Sequence, residues 1–323
     1  MPSAGHSAAP TRFAYLGPEG TFAEAALVRL GGTGVDPAAP AEVASRPEAS
    51  VGTALAAVRS GECEAALVPL ENSVEGSVPA TMDGLVDGEP LVITREVFLE
   101  VAFVLAVRSG TTADQISAVA SHPHALAQCR GRVAELVPHA DLVPTASTAD
   151  AARRVAEGEY DAAVCAAIAA ERYQLDALVT DLADHPGAVT RFVLVQRPGA
   201  LPAPTGADKT TVTAVIPDRT GALLDLLAEF AVRGISLTRI ESRPTRERLG
   251  VYSFSIDCEG HVADARVGDA LAALHRLCAD LRFLGSYPRA DARAGKPVEE
   301  RVGDAAFAGA QQWLGRVREG TAV

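Results

Sequence analysis

Positive charge is scarce in this chain. Its 323 residues carry 29 Lys+Arg against 41 Asp+Glu, a net charge of −12. A surface so acidic repels a phosphate backbone, and no basic stripe opposes it, so nucleic-acid binding is excluded. Cysteine is scarce too. The five thiols, Cys63, Cys129, Cys165, Cys258 and Cys278, are odd in number and far apart. No pair has the spacing of a zinc knuckle or redox site, so neither a disulfide framework nor a metal cluster is expected. They read as small buried residues of a reducing compartment. Long apolar runs are missing: the longest strongly apolar stretch, 101–107, is flanked by Glu100 and Arg108 and suits a buried strand, not a membrane span. Residues 1–11 are rich in Ala, Ser, Pro and Gly and lack the apolar core of a secretory signal. A soluble, cytoplasmic protein without membrane partners is expected. There is no Gly-x-Ser-x-Gly elbow, no phosphate-binding loop with its lysine and no dinucleotide fingerprint, so hydrolase, nucleotide and nicotinamide chemistry lose their usual sequence support.

What is present is ordinary globular material. Apolar residues make up 48% and charged residues 22%, enough for a sizeable core, and the length suits two or three domains. Through the first two hundred residues, short apolar runs alternate with Ala-rich helical stretches. Strands are expected at 13–16, 65–69, 91–93, 97–107, 116–120, 141–144, 162–165 and 191–195. Helices are expected at 21–30, 51–59, 123–136 and 148–157, with another ending at Arg172. That alternation predicts a mostly parallel sheet covered on both faces. Two such series joined by a long extended stretch predict two lobes with a cleft between them. Pro and Gly then accumulate between Gln196 and Asp208, the composition of a linker.

Beyond the linker the expected order is strand 210–216, helix 221–232, strand 236–242, strand 251–257, helix 263–278 and strand 281–287. Leu223, Leu226, Leu227 and Phe230 give the first helix an apolar stripe, as Val267, Leu271, Leu274 and Cys278 do the second. The order βαββαβ is ferredoxin-like. The expected organisation is therefore a two-lobed α/β domain over 11–197, a linker over 198–208, an α+β domain over 209–290 and a polar tail over 291–323. The tail carries one helix at about 302–317 around Trp313, with no assigned role.

Several polar motifs fall where strands feed helices. Gly17-Pro18-Glu19-Gly20-Thr21 opens a helix whose amides suit an anion, and it is equally a tight turn. Glu71-Asn72-Ser73 ends a strand, where open α/β sheets hold ligands, and the same residues also form turns. Ser121-His122-Pro123-His124 caps a helix that carries Gln128, but no third ligand at helical spacing makes it a metal site. In Thr190-Arg191-Phe192, strand alternation puts Thr190 and Phe192 on one face and Arg191 on the other. In the second domain, Gly221-Ala222-Leu223 starts a helix and Glu241-Ser242-Arg243-Pro244 ends a strand.

In this order, with Gly76-Ser77-Val78 and Ala127-Gln128-Cys129, these segments resemble those of prephenate dehydratases with a C-terminal ACT domain. The resemblance covers about 13–287. It implies a two-lobed catalytic domain shaped like a type II periplasmic binding protein, followed by a ferredoxin-like ACT domain. It implies conversion of prephenate to phenylpyruvate, water and carbon dioxide in phenylalanine biosynthesis, with no metal, nicotinamide or flavin cofactor, in a homodimer or homotetramer. Thr190 is the expected catalytic residue, a hydrogen-bond donor to the departing hydroxyl, with Glu71 and Asn72 beside it. Thr21, Ser73, Gln128, Arg191 and Phe192 are the expected substrate contacts. Gly221, Ala222, Leu223, Glu241, Ser242, Arg243 and Pro244 are expected to hold L-phenylalanine as an inhibitory effector. Two positions depart from the family pattern: Ala188 stands where Asn is frequent, and His124 where Gln is common. The rival readings are arogenate dehydratase and a non-catalytic amino-acid-sensing binding protein.

Overall fold

The computed structural model describes residues 11–32, 43–245, 252–293, 295 and 297–321. Its chain forms two compact units, Met1–Gly84 with Val97–Arg197, and Leu85–Glu96 with Pro198–Val323. Leu85–Glu96, which lies within the first expected domain, thus packs with the second unit.

The first sheet of the chain uses β1 (Thr11–Leu16), β2 (Val43–Glu48), β3 (Ala65–Asn72), β4 (Gly76–Ser77) and β5 (Val92–Glu100), with α1 (Phe22–Gly32), α2 (Val51–Ser60) and α3 (Pro79–Val86) between them. The chain then crosses to a second sheet of β6 (Val104–Val107), β7 (Ala118–Ser121), β8 (Asp141–Pro144), β9 (Ala162–Cys165) and β10 (Asp176–Val179). Its helices are α4 (Pro123–Gln128), α5 (Arg130–Leu136), α6 (Thr148–Ala156) and α7 (Ala167–Arg172). It returns as β11 (Val189–Gln196). Strand orders are β2-β1-β3-β11-β5, with β4 on β3, and β10-β6-β9-β7-β8.

Both sheets are mixed rather than mostly parallel. β1 pairs parallel with β2 and β3, and β7 with β8 and β9, whereas β11 runs antiparallel to β3 and β6 antiparallel to β9 and β10. The antiparallel strands are those that enter or leave a crossing, which local alternation does not disclose. The two crossings lie side by side: Val101 N–H donates to Ala188 O at 2.7 Å and Leu182 N–H to Phe103 O at 2.9 Å.

Local chemistry sets the element ends. Ser50 and Thr53 form a capping box on α2, which stops at Gly61 in the left-handed region. The single helix expected over 123–136 is broken at Cys129, because the Asp184 carboxylate accepts Gly131 N–H at 2.9 Å and Arg132 N–H at 2.8 Å and so starts α5 afresh. β2, α3 and β10 were not legible in the sequence. β2 is an edge strand containing Pro47, and β10 is an edge strand of four residues.

One core, with Tyr15, Leu67, Phe192 and Leu194, lies under the first sheet. The second sheet is covered on both faces, by Leu105, Val119, Val133 and Val164 on one side and Val104, Ala152, Val155 and Cys165 on the other.

In the second unit, β12 (Asp208–Val215), β13 (Leu237–Pro244), β14 (Tyr252–Glu259) and β15 (Asp280–Pro288) form an antiparallel sheet of order β13-β14-β12-β15. α8 (Ala222–Ala231) and α9 (Ala265–Leu277) bury Leu226, Phe230, Val267 and Leu274 against it, while Leu223 stays exposed. The expected start of one strand at Val251 lies outside the described residues. The tail carries α10 (Asp304–Arg318). Among the described residues no helix is long and apolar enough to cross a membrane.

Candidate active site

Between the two sheets of the first unit lies a cavity of about 780 Å³. The β3–β11 ladder supplies its polar centre. Asn72 pairs with Thr190, and Glu71 with Arg191. In an antiparallel pair, opposed residues share a face, so Asn72 and Thr190 look into the cavity while Glu71 and Arg191 look away from it. Leu70 is the extra residue in β3, since the register moves from Glu71 directly to Pro69 as β11 moves from Arg191 to Phe192. Such bulges re-aim side chains beside active sites.

The Asn72 amide is fixed at both ends. Its Oδ1 accepts Val74 N–H at 2.8 Å and Glu75 N–H at 3.1 Å, which turns Nδ2 toward Thr190 Oγ1 at 2.9 Å. The amide occupies a lone pair of the threonine oxygen, leaving the hydroxyl proton free to point elsewhere.

Of the residues expected to touch substrate, Thr21, Asn72, Gln128, Thr190 and Phe192 line the cavity. Glu71, Ser73 and Arg191 do not line it. Glu71 lies 3.8 Å from the Arg191 guanidinium, which is buried. Ser73 extends the ladder instead: its Oγ accepts Val189 N–H at 2.9 Å, and its own N–H donates to Val189 O at 2.9 Å. Thr21 Oγ1 donates to Leu16 O at 2.9 Å, so what it offers the cavity is a helix N-terminus rather than a free hydroxyl proton. Ser147, capping α6 through Asp150 N–H at 2.9 Å, brings a second helix start to the wall.

Sequence reasoning did not place Glu75, His122, Phe103 or Asp150 in the lining, and named His124 as a departure from the family pattern; all five line the cavity. His122 caps α4, its Nδ1 accepting His124 N–H at 3.3 Å, so its remaining proton sits on Nε2. Burial, with His124 nearby, holds its pKa below the ordinary histidine value. A His-Pro pair at a helix start was the available signal, but it also reads as a cap. Two glycines let the turn between β1 and α1 approach its neighbours closely. A Cβ on Gly17 would lie 2.8 Å from Pro47 Cβ, and Gly20, at φ +85°, would press a Cβ to 3.2 Å from Ala169.

In the second unit, Gly221 at φ +82° precedes α8, and β13 is an edge strand. Along it Ser242 and Pro244 are exposed, while Glu241 pairs with Arg239 and lies 3.7 Å from Arg243.

Among the described residues no group of three or more His, Cys, Asp or Glu is placed to hold a metal ion. The first unit is a two-lobed α/β fold of the periplasmic-binding-protein type with a cavity between its sheets, and a βαββαβ unit follows it. The chain belongs to the prephenate dehydratase family. The family model "Prephenate dehydratase" matches residues 13–200 and "ACT domain" matches 210–276. The prephenate dehydratase of Mycolicibacterium vanbaalenii is 48% identical over 315 residues, covering 95% of this chain and 98% of that one. The prephenate dehydratase of Arthrobacter aurescens, solved in complex with L-Phe, superposes with a TM-score of 0.87 at 50% identity, covering 96% of this chain and 100% of that one. GqqA, described as a novel type of quorum quenching acylase, has a TM-score of 0.75 at 31% identity, covering 86% of this chain and 97% of that one.

Proposed function

We propose that the cavity of the first unit converts prephenate to phenylpyruvate, and that the second unit binds L-phenylalanine and inhibits the reaction. Aromatisation of the ring drives the chemistry. As the ring carboxylate leaves as carbon dioxide, its C–C electron pair enters the ring and the bond to the ring hydroxyl breaks. The departing oxygen takes up one proton from solvent to become water. A threonine hydroxyl is too weak an acid to surrender its proton, so Thr190 acts as a hydrogen-bond donor to that oxygen. The observation that carries this reading is the Asn72 Nδ2–Thr190 Oγ1 hydrogen bond of 2.9 Å, which aims the threonine proton. His122 Nε2–H is a second donor in the wall. The α1 and α6 N-termini suit the substrate carboxylates.

Arg191 and Glu71, off the cavity, support the ladder that holds Thr190. The acylase reading finds less support. An acylase nucleophile needs a base within hydrogen-bond reach, and Thr190 Oγ1 is met by an amide donor. Effector binding draws on the L-Phe complex of the Arthrobacter aurescens protein and on the segments Gly221–Leu223 and Glu241–Pro244. Five free cysteines, four of them buried, suit the cytoplasm.

The test is phenylpyruvate formation from prephenate by the purified chain, with and without L-phenylalanine. Turnover suppressed by L-phenylalanine supports both halves of the proposal. Turnover with arogenate in preference to prephenate would replace the substrate, and binding without turnover on either would leave a sensor.

A further inference from the structure

The cavity has an electrostatic problem. Among the described residues that line it there is no lysine or arginine, whereas Glu48, Glu75 and Asp150 are all part of the lining. A dicarboxylate must enter this wall in a chain whose net charge is −12. Two of the three carboxylates already have a permanent cation. Glu48 Oε1 lies 2.8 Å from Arg46 Nε, and Asp150 Oδ1 lies 2.7 Å from Arg153. Glu75 is paired differently: its Oε2 lies 2.8 Å from His124 Nδ1, and its Oε1 accepts Gln128 Nε2–H at 2.9 Å. His124 Nδ1 carries a proton to make that contact. Only a second proton, on Nε2, makes the pair ionic.

His124 and Gln128 lie at i and i+4 on α4, on one helix face, and both reach the turn between β3 and β4 on the other side of the cavity. The same Glu75 donates its backbone N–H to Asn72 Oδ1 at 3.1 Å, and Asn72 holds Thr190. Glu75 therefore joins the second sheet's helix to the polar centre on the first sheet.

We infer that His124 is a protonation-dependent counter-charge for Glu75, and that it sets how well this cavity accepts a dianionic substrate. With His124 protonated, the Glu75 carboxylate also gains a cation, as Glu48 and Asp150 have Arg46 and Arg153, which they share with Glu62 and Glu157. With His124 neutral, Glu75 repels the incoming carboxylates. Affinity for substrate is thus higher with His124 protonated than with it neutral, while the substrate carboxylates stay ionised throughout.

The other groups facing His124 do not reproduce this behaviour. On its own helix start, the His122 ring stands edge-on with centroids 5.0 Å apart, but His122 Nδ1 is engaged by the His124 N–H and burial disfavours its charged form. Across the cavity, Glu48 on β2 and Asp150 on α6 hold their arginines. Of the strands under α4, β7 has no charged residue. β8 has Asp141 at its far end, paired with Ala118, and β9 has the buried Cys165 thiol.

The inference rests on prephenate being the substrate. Its test is KM for prephenate between pH 6 and 8.5 at constant ionic strength, in the chain and in His124→Gln, His124→Lys and Glu75→Gln. In the unmodified chain KM should rise by about two- to fivefold over that range, a modest effect because both side chains are exposed. His124→Gln should hold KM near its high-pH value at every pH. His124→Lys, a cation throughout, should hold it near the low-pH value, and Glu75→Gln should also flatten the profile. A purely structural His124 would raise KM equally at all pH values and would not be rescued by lysine. Turnover with a flat KM in the unmodified chain, or with the slope retained in His124→Gln, overturns this inference alone. Absence of turnover at every pH overturns the substrate reading and this inference with it.

Discussion

Asn72 and Thr190, 118 residues apart in the chain, face each other across β3 and β11 with Asn72 Nδ2 2.9 Å from Thr190 Oγ1. The direction of that hydrogen bond decides what the threonine can do. Thr190→Ala should lower kcat for prephenate by about 10³-fold, the scale of losing a transition-state donor, with an unchanged circular dichroism spectrum. Thr190→Ser should retain most of the rate.

Asn72→Asp probes the same bond from the other side. A carboxylate accepts where the amide donated, so the Thr190 proton turns toward the new carboxylate oxygen and away from substrate. A loss of about 10²-fold in kcat is expected. Asn72→Ala should cost less, because the threonine hydroxyl then rotates freely. Steady-state kinetics on the two variants, compared in one buffer, give the order.

Within the second unit, Lys209 and Glu96 form a buried ion pair at 3.0 Å, and Glu96 Oε1 also accepts Ala290 N–H at 3.0 Å. Removing one partner strands a buried charge, so Lys209→Met should destabilise the unit by about 3–5 kcal/mol. Lys209→Met combined with Glu96→Gln should recover part of that loss. Denaturant unfolding of the two single variants and the double variant measures the coupling.

Gly285, on β15, has φ +138°, and a Cβ there would lie 2.1 Å from Ile93 O. Gly285→Ala must both adopt a strained backbone and displace the 85–96 segment. A loss of about 3 kcal/mol or more is expected by thermal unfolding.

The thiols should be inert in the folded chain. Burial pushes Cys129, Cys165 and Cys258 up to about 12 and Cys278 up to about 11, and raises Cys63 as well. At pH 8 the thiolate fraction of a thiol at such a value is about 10⁻³ to 10⁻⁴. A colorimetric thiol count should therefore be close to zero until denaturant is added and five afterwards. Half-buried Cys278 should react first.

Much of the architecture was legible because it is local. Apolar periodicity placed most strands and helices within a few residues. The alternation in Thr190-Arg191-Phe192 already put Arg191 on the face opposite Thr190. What the sequence alone determined was therefore the element types, the side-chain faces along each strand and, through its ordered motifs, the family. Tertiary structure decided which distant elements meet. It set β11 antiparallel beside β3, so that Asn72 reaches Thr190 while Glu71 turns to Arg191. It brought Asp184 to the start of α5 and broke a helix that periodicity joined. It carried Glu75 to His124 and Gln128 across the cavity. These contacts depend on sheet order and on crossings between lobes, for which the energy is gained only when segments far apart in the chain pack together, so no local pattern encodes them.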